Sequence, residues 1–149
     1  MNSENGEAAA KLLLILVVFT VAIAVASPWL LRSKRTEEEA KAISTLRRIH
    51  SAQRENYGAA ALYGSMARLT NSKLLEPTFQ DKQFAIDGYR YFHATDGTYK
   101  HFCAEAVPAE GSSGTSYGID ESGVVYEFER NTSPCYAGVL TKTGGKVAK

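Results

Sequence analysis

LLLILVVFTVAIAVASPWLL, residues 12–31, is the stretch of this sequence that decides the fold. It carries no charge, and seventeen of its twenty residues are apolar, the exceptions being Thr20, Ser27 and Pro28. A helix of about twenty apolar residues has the length that crosses the hydrocarbon core of a bilayer. The stretch therefore predicts a helix that lies in a membrane or in an apolar protein core, and it nearly excludes a fully soluble cytoplasmic enzyme.

The residues before this stretch distinguish a retained anchor from a cleaved secretory signal. The apolar core of a secretory signal usually has about 7–15 residues and follows a basic segment. Here the core is longer, and residues 1–7 contain Glu4 and Glu7 but no Lys or Arg. The pattern favours a retained anchor over residues 7–31.

The charges and the cysteines give opposite indications about the side of the membrane on which residues 32–149 lie. Arg32, Lys34 and Arg35 follow the span, which by the positive-inside rule keeps the carboxyl-terminal part in the cytoplasm. Cys103 and Cys135 are the two cysteines, and neither belongs to a metal-binding pattern. In a small exported domain such a pair predicts a disulfide, whereas two free buried thiols are the cytoplasmic alternative. We expect export, because long domains cross membranes largely regardless of flanking charge.

Helical periodicity continues after the span, over residues 32–58. Apolar side chains recur there at spacings of three and four, which predicts an amphipathic helix packed on a domain. The residues expected on its buried face are Ile43, Leu46, Ile49 and Tyr57. Gly58 is the first stop signal, so one helix is predicted from about Ala8 to Tyr57. Pro28 should kink this helix or melt one turn of it.

The remaining chain changes from helical to strand periodicity. Residues 59–87 predict an irregular connection with one short helix around Met66. Residues 88–130 alternate in polarity and contain two turn signatures, at Asp96-Gly97 and at 120–123, which predicts four antiparallel strands, the second of them beginning near Tyr99. The tail, residues 131–149, is rich in Gly, Thr and Lys, and only Cys135 is expected to tie it down. The predicted fold is α+β, with the amphipathic half of the helix covering the sheet.

The charge balance limits the classes of partner. The 149 residues contain 17 Lys+Arg and 16 Asp+Glu, a net charge of +1. A dedicated polyanion binder needs a basic excess. Nucleic acid is therefore not an expected partner, although this balance does not exclude it.

Enzyme and metal sites are not supported by the spacing of the reactive residues. His93 and His101 could face each other across a hairpin, but no Cys, Asp or Glu stands at a ligand-like offset from both, and His50 lies on the helix. Ser112-Ser113 lacks the context of a nucleophile elbow. Asp120 and Glu121 could hold calcium with loop carbonyls, but their place in a turn explains them more simply. We expect no catalytic activity, no cofactor and no metal.

Three features of the sequence resemble a known family. Pro28 follows Gly6 by 22 residues, residues 39–53 read EAKAISTLRRIHSAQ, and residues 117–125 read YGIDESGVV. In this order and spacing they resemble the type IV pilins and the pseudopilins of type II secretion. The resemblance implies a leader, residues 1–6, that is cleaved between Gly6 and Glu7, and a helix that extends from a filament core onto a small sheet domain.

The function implied by the resemblance is that of a structural subunit, a major or minor pilin or pseudopilin. Its partners would be copies of itself, other pilin-like subunits and the assembly machinery. It would wait in the inner membrane and then enter an extracellular or periplasmic filament. Lys11 stands where the family has a glutamate, and Glu7 lies four residues before it, the spacing of a helical ion pair. Lys11 also favours the alternative, a non-polymerising, single-pass anchored exoplasmic domain that binds a ligand or partner.

Overall fold

The computed structural model of this protein describes residues 3–81, 83–112 and 114–148. Before Ser33 it describes the side chains of residue 11, residue 13 and residues 15–17 only. The chain divides into two units, Met1–Thr36 and Glu37–Lys149. The second unit is called the head below.

A single long helix, α1, spans Ser3–Ala60. Within the described part of the chain, no helix combines the length and the apolar character needed to cross a membrane. Most side chains of the predicted 7–31 segment lie outside the described residues, so its placement in a membrane or a filament core stays a prediction. Residues 1 and 2 of the predicted leader and the side chain of Glu7 lie outside the described part, so the Gly6–Glu7 cleavage and the Glu7–Lys11 pair stay predictions too. The helix continues through Pro28, and the bend expected there stays a prediction.

The helix ends two residues after Gly58, the residue expected to stop it. Ala61 adopts the left-handed conformation, with φ +55°, and its N–H donates to the carbonyl of Tyr57 at 2.7 Å. Asn56 Nδ2 donates to the carbonyl of Leu62 at 2.7 Å and so fixes the direction of the departing chain. Gly58 weakens a helix by only about 1 kcal/mol, so these contacts determine the boundary.

The sheet has six antiparallel strands, not the predicted four. They are β1 Gln83–Ile86, β2 Tyr89–Thr95, β3 Phe102–Pro108, β4 Ser116–Asp120, β5 Val125–Phe128 and β8 Lys146–Val147, in the order β1-β2-β3-β4-β5-β8. A separate hairpin pairs β6 Cys135–Tyr136 with β7 Val139–Leu140. The predicted connection, residues 59–87, contains α2 Met66–Asn71 and a short 3₁₀ helix, Pro77–Phe79, before β1.

Two turns account for differences between the predicted and observed strands. Asp87 and Gly88 join β1 to β2 with φ +50° and +78°, a two-residue hairpin turn that the Asp-Gly dipeptide favours. The turn after β2 is longer than Asp96-Gly97 suggested, and β3 begins at Phe102 rather than near Tyr99. The reason is the Asp96 carboxylate, which accepts hydrogen bonds from the backbone N–H groups of Lys100 and His101 at 2.9 and 3.1 Å.

The sheet packs against other elements on both faces, along α1 on the inner face and at the β6–β7 hairpin on part of the outer face. The inner face packs against the head half of α1 and forms a core that contains Ala42, Leu46, Ile49, Ala52, Tyr89, Tyr91, Ala104, Ala106, Tyr117 and Ile119. The outer face carries a second cluster, in which Cys103 and Phe128 of the sheet pack against Cys135 and Leu140 of the β6–β7 hairpin. Alternate residues of each strand supply the two faces, as the pleat requires.

The tail is anchored at more points than Cys135 alone, which corrects the prediction for residues 131–149. Leu140 is buried, β8 pairs with β5, and Lys142 forms an ion pair with Asp120 at 2.8 Å. The N–H of Ala148 donates to the carbonyl of Val125 at 2.9 Å. Each anchor is too short to show a strand pattern in the sequence.

Most of the predicted buried face of α1 lies in the core. Leu46 and Ile49 are buried and Ile43 is half-buried. Tyr57 is 42% exposed, so its assignment to the core was wrong. The ring of Tyr63 lies between Tyr57 and Phe102, with centroid distances of 4.7 and 4.8 Å, and thereby displaces Tyr57 to the surface.

Two neighbouring substitutions in α1 test this packing. Leu46→Ala removes a fully buried side chain and should lower the free energy of unfolding of the head by about 2–5 kcal/mol. Arg47→Ala changes an exposed side chain and should cost less than about 0.5 kcal/mol. Urea unfolding followed by circular dichroism measures both. Small and equal effects would mean that the helix does not pack on the sheet.

Candidate functional site

A buried polar cluster joins α1 to the chain that follows it. Gly64 N–H donates to Gln53 Oε1 at 2.8 Å, and Gln53 Nε2 donates to the carbonyl of Gly64 at 2.7 Å. Gln53 Nε2 also lies 2.7 Å from Nε2 of His93 on β2. All three residues are buried, so the Gln53 amide links the helix, the connection and the sheet in one place.

The hydrogen-bond pattern fixes the protonation of His93 at this cluster. Because Gln53 Oε1 accepts from Gly64, its nitrogen is the NH₂ group and has one hydrogen for Gly64 and one for His93. His93 Nε2 must then accept, which assigns the ring as the neutral tautomer with its proton on Nδ1. His93 is buried, so this neutral ring and its hydrogen bond to Gln53 are part of the core.

The three histidines do not form a common site. His93 lies opposite Ala104 in the β2–β3 ladder, and His101 precedes β3. His101 Nδ1 lies 2.8 Å from Glu121 Oε1, and this hydrogen bond raises the pKa of the exposed imidazole. His50 on α1 is half-buried, with Nε2 3.4 Å from the carbonyl of Glu121. The proposed facing of His93 and His101 fails because the longer turn takes His101 out of the sheet.

The two acids considered for calcium both bind neighbouring side chains. Asp120 accepts a hydrogen bond from Ser122 Oγ at 2.5 Å and pairs with Lys142, while Glu121 pairs with His101. Burial raises the pKa of Asp120, but the bonds from Lys142 and Ser122 outweigh it and leave the pKa lowered. Over the described residues, no three His, Cys, Asp or Glu side chains are grouped to hold a metal ion.

The two serines considered for a nucleophile show no such arrangement. Ser112 accepts a hydrogen bond at its carbonyl from Arg130. Ser113 lies outside the described residues.

The predicted disulfide is confirmed. Cys103 on β3 and Cys135 on β6 are bonded, with their Cα atoms 5.7 Å apart. Glu105, two residues further along the same face of β3, accepts hydrogen bonds from Ser133 Oγ at 2.5 Å and from Cys135 N–H at 2.8 Å. Sequence reasoning missed this carboxylate, although an acid within an apolar strand is a recognisable signal of a buried polar contact.

Burial also governs the charge of Glu105. It raises the pKa of this carboxyl, and the hydrogen bonds from Ser133 and Cys135 offset only part of the effect. The carboxylate therefore anchors the tail by hydrogen bonds at some cost in desolvation.

An open groove lies on the outer face of the sheet beside Glu105. Its volume is about 460 Å³. Residues that line it include Ala85, Arg90, Phe92, Val107 and Asn131. Arg90 is exposed, so the groove combines an apolar floor with a cation.

An apolar knob, residues 136–139, projects from the β6–β7 hairpin on the same face. Tyr136 is 82% exposed and Val139 is 58% exposed. Sequence reasoning placed these residues in a loose tail. Gly138 is a turn-forming residue, but Ala-Gly is not among the dipeptides that favour a two-residue hairpin, so the sequence gives no clear signal for these residues.

The first prediction from this site concerns the buried amide. Gln53→Ala removes the hydrogen-bond partner of both the N–H and the C=O of Gly64 and a partner of the His93 ring, all in a buried place. The substitution should therefore lower the free energy of unfolding by about 2–4 kcal/mol. Glu55→Ala, on the exposed side of α1, is the control and should change it by less than about 0.5 kcal/mol. Equal urea midpoints for the two variants would contradict the structural role of Gln53.

The second prediction uses the raised pKa of Glu105. Because the native state binds this proton more tightly than the unfolded chain, the stability it contributes is present below the usual carboxyl pKa and is lost as the pH rises through the raised native value. In Glu105→Gln, the new amide stays neutral, accepts from Cys135 and donates to Ser133. The variant should match the wild-type protein at acid pH and exceed its thermal midpoint at pH 8.

A lower midpoint for Glu105→Gln than for the wild type at pH 8 would show that the ionised carboxylate stabilises the tail. Asp120 titrates in both proteins, so the difference between them isolates Glu105.

No family model, no curated protein and no solved structure matches this chain. The resemblance to the type IV pilins therefore rests on the sequence motifs described above. In the structure, residues 39–53 lie within α1, and residues 117–125 run from β4 through a turn to the first residue of β5.

Proposed function

We propose that this protein is a structural subunit, a major or minor pilin or pseudopilin, of a type IV pilus-like filament. The observation that carries the proposal is the composition of α1. Its amino-terminal part is apolar in sequence and its carboxyl-terminal part supplies one side of the core of the head, all within one helix. A subunit of this design assembles through its apolar helix and presents its head at the filament surface.

The apolar part of α1 supports assembly through that segment. Leu13, Ile15 and Leu16 are 61% to 67% exposed. At 100° per residue these three side chains point to different sides of the helix. The apolar residues are therefore not confined to one face. A helix that is apolar on all sides requires lipid or other helices around it. Both environments occur in the proposed pathway, the inner membrane first and the filament core afterwards.

The head supports an exported location, either extracellular or periplasmic. The Cys103–Cys135 disulfide is a bond that persists in oxidising compartments. It closes a loop of 32 residues, for which the chain-entropy model gives about 3–4 kcal/mol. The acids and histidines described above are used in structural pairs, and we propose no catalytic activity and no cofactor.

Lys11 favours a second function, a non-polymerising anchored domain that binds a ligand or partner outside the membrane. Its side chain is exposed and is the one cation in the sequence of the segment, residues 7–31. A cation is costly inside an apolar bundle of helices but can reach water at the edge of a single membrane span. Glu7 of the same or another copy would reduce this cost in a filament.

The two functions differ in what surrounds α1, and a photo-reactive residue at position 16 of the full-length chain tests this. If the chain polymerises, irradiated cells should give adducts between copies, because the exposed Leu16 would contact neighbouring helices. Filaments sheared from the surface should contain the chain, and its amino terminus should be Glu7. Adducts with lipid alone, together with a surface fraction that lacks the chain, would reject the filament and support the anchored domain.

A further inference from the structure

The apolar knob is shaped like part of an interface. Tyr136 and Val139 are directly paired in the hairpin and share its outward side, whereas the other pair, Cys135 and Leu140, is buried. The hairpin therefore presents two adjacent large apolar side chains to solvent on its outward side. Tyrosine is also among the residues that contribute most to protein interfaces.

The knob is held rigidly. The disulfide and the Glu105 carboxylate fix Cys135 at its start, and the N–H of Thr141 donates to the carbonyl of Pro134 at 2.8 Å at its end. Gly138 has φ +80°, and a Cβ there would lie 2.1 Å from the backbone nitrogen of Asp96. The turn is therefore pressed against the end of β2, and little conformational entropy remains to be lost on binding.

The groove lies at the other end of the same strand and on the same face. Arg90 marks the groove, and the backbone of Asp96, whose carboxylate accepts hydrogen bonds from the N–H groups of Lys100 and His101, lies against the turn of the knob. Six residues of chain along β2 separate them, a distance of about 20 Å. The outer face thus has an apolar projection with an acid at one end and an apolar groove with a cation at the other.

We propose that this face is an interface between two copies of this chain, in which the knob of each copy enters the groove of the other. A twofold axis that lies in the plane between two such faces and is perpendicular to β2 reverses the direction of this strand, which brings each projection over a groove and each Asp96 towards an Arg90. This self-complementary arrangement is the one that a twofold contact requires. Tyr136 would lie on the apolar floor at Phe92 and Val107, with the Arg90 guanidinium over its ring.

This interface adds a contact that the apolar helix does not provide. The outer face is on the opposite side of the sheet from the head half of α1, so pairing leaves that half of the helix free to pack elsewhere. The contact would join the heads of two chains face to face, whether in the membrane or on adjacent filaments. It goes beyond the proposed function because it needs no filament.

Photo-crosslinking of the full-length chain in detergent tests the proposal. A photo-reactive residue at position 136 should give a dimeric adduct, and mass spectrometry should locate the partner site within residues 83–92 or 105–107. Absence of a dimer, or adducts that map only to α1, would overturn the proposed interface.

Matched substitutions test whether the apolar knob is responsible for dimer formation. Val139→Ser and Val147→Ser make the same change at residues that are 58% and 61% exposed, but Val147 lies on β8, at the edge of the sheet opposite to β1 and the groove. Val139→Ser should lower the yield of dimeric adduct about tenfold, and Arg90→Glu should have a similar effect. Val147→Ser should leave the yield within about twofold of the parent. Equal yields for the two valine variants would reject the proposal.

The result is separable from that of the filament test. Loss of the adduct at position 136 with adducts at position 16 retained would reject this interface alone. Adducts between copies at position 136, without adducts between copies at position 16, would reject the filament and leave the interface in place. Intact mass of each variant, with the two hydrogens of the Cys103–Cys135 pair absent, confirms that the head has folded.

Discussion

Burial of one face of α1 against the inner face of the sheet is the constraint on which the rest of the structure depends. The strands are short, and an antiparallel sheet of this kind is stable only when its apolar face is covered. Leu46 and Ile49 supply the large side chains, while Ala42 and Ala52 leave room for the sheet to approach the helix. The same helix carries the apolar segment, residues 12–31, before these residues.

Two sets of contacts hold the remaining chain to this core. On the inner side, the Gln53 amide fixes the chain that leaves α1 by bonding Gly64 and His93. On the outer side, Cys103 and Glu105 of β3 hold Cys135, one by a covalent bond and the other by a hydrogen bond to its N–H. The contacts at Cys135 fix the β6–β7 hairpin on the sheet, and they thereby give the apolar knob a defined position.

The parts of the fold that could be predicted are those with a long repeating pattern. The amphipathic periodicity around Leu46 identifies α1, and alternation identifies β2 to β5. β1 could have been found from Asp87-Gly88, but the two-residue strands β6 to β8 are too short to produce any period. Tyr57 has the correct spacing for the core, yet it is exposed because the ring of Tyr63 packs against Phe102 in its place. Tyr63 belongs to a loop, whose position periodicity cannot predict.

Polar residues of the candidate site were predicted less well, for a related reason. Gln53 and Glu105 bond backbone groups distant in sequence, and Asp96 bonds the backbone of its own long turn, and no periodic pattern specifies such contacts. The disulfide is the exception, because two cysteines allow only one intramolecular pairing.

Amide hydrogen exchange of the full-length chain, followed by mass spectrometry, tests the central claim most directly. If α1 forms the core of the head, the amides of residues 42–56 should exchange as slowly as those of β2 to β4, through global unfolding alone. Exchange in residues 42–56 that is orders of magnitude faster than in these strands would show that the helix opens independently, and it would contradict the account.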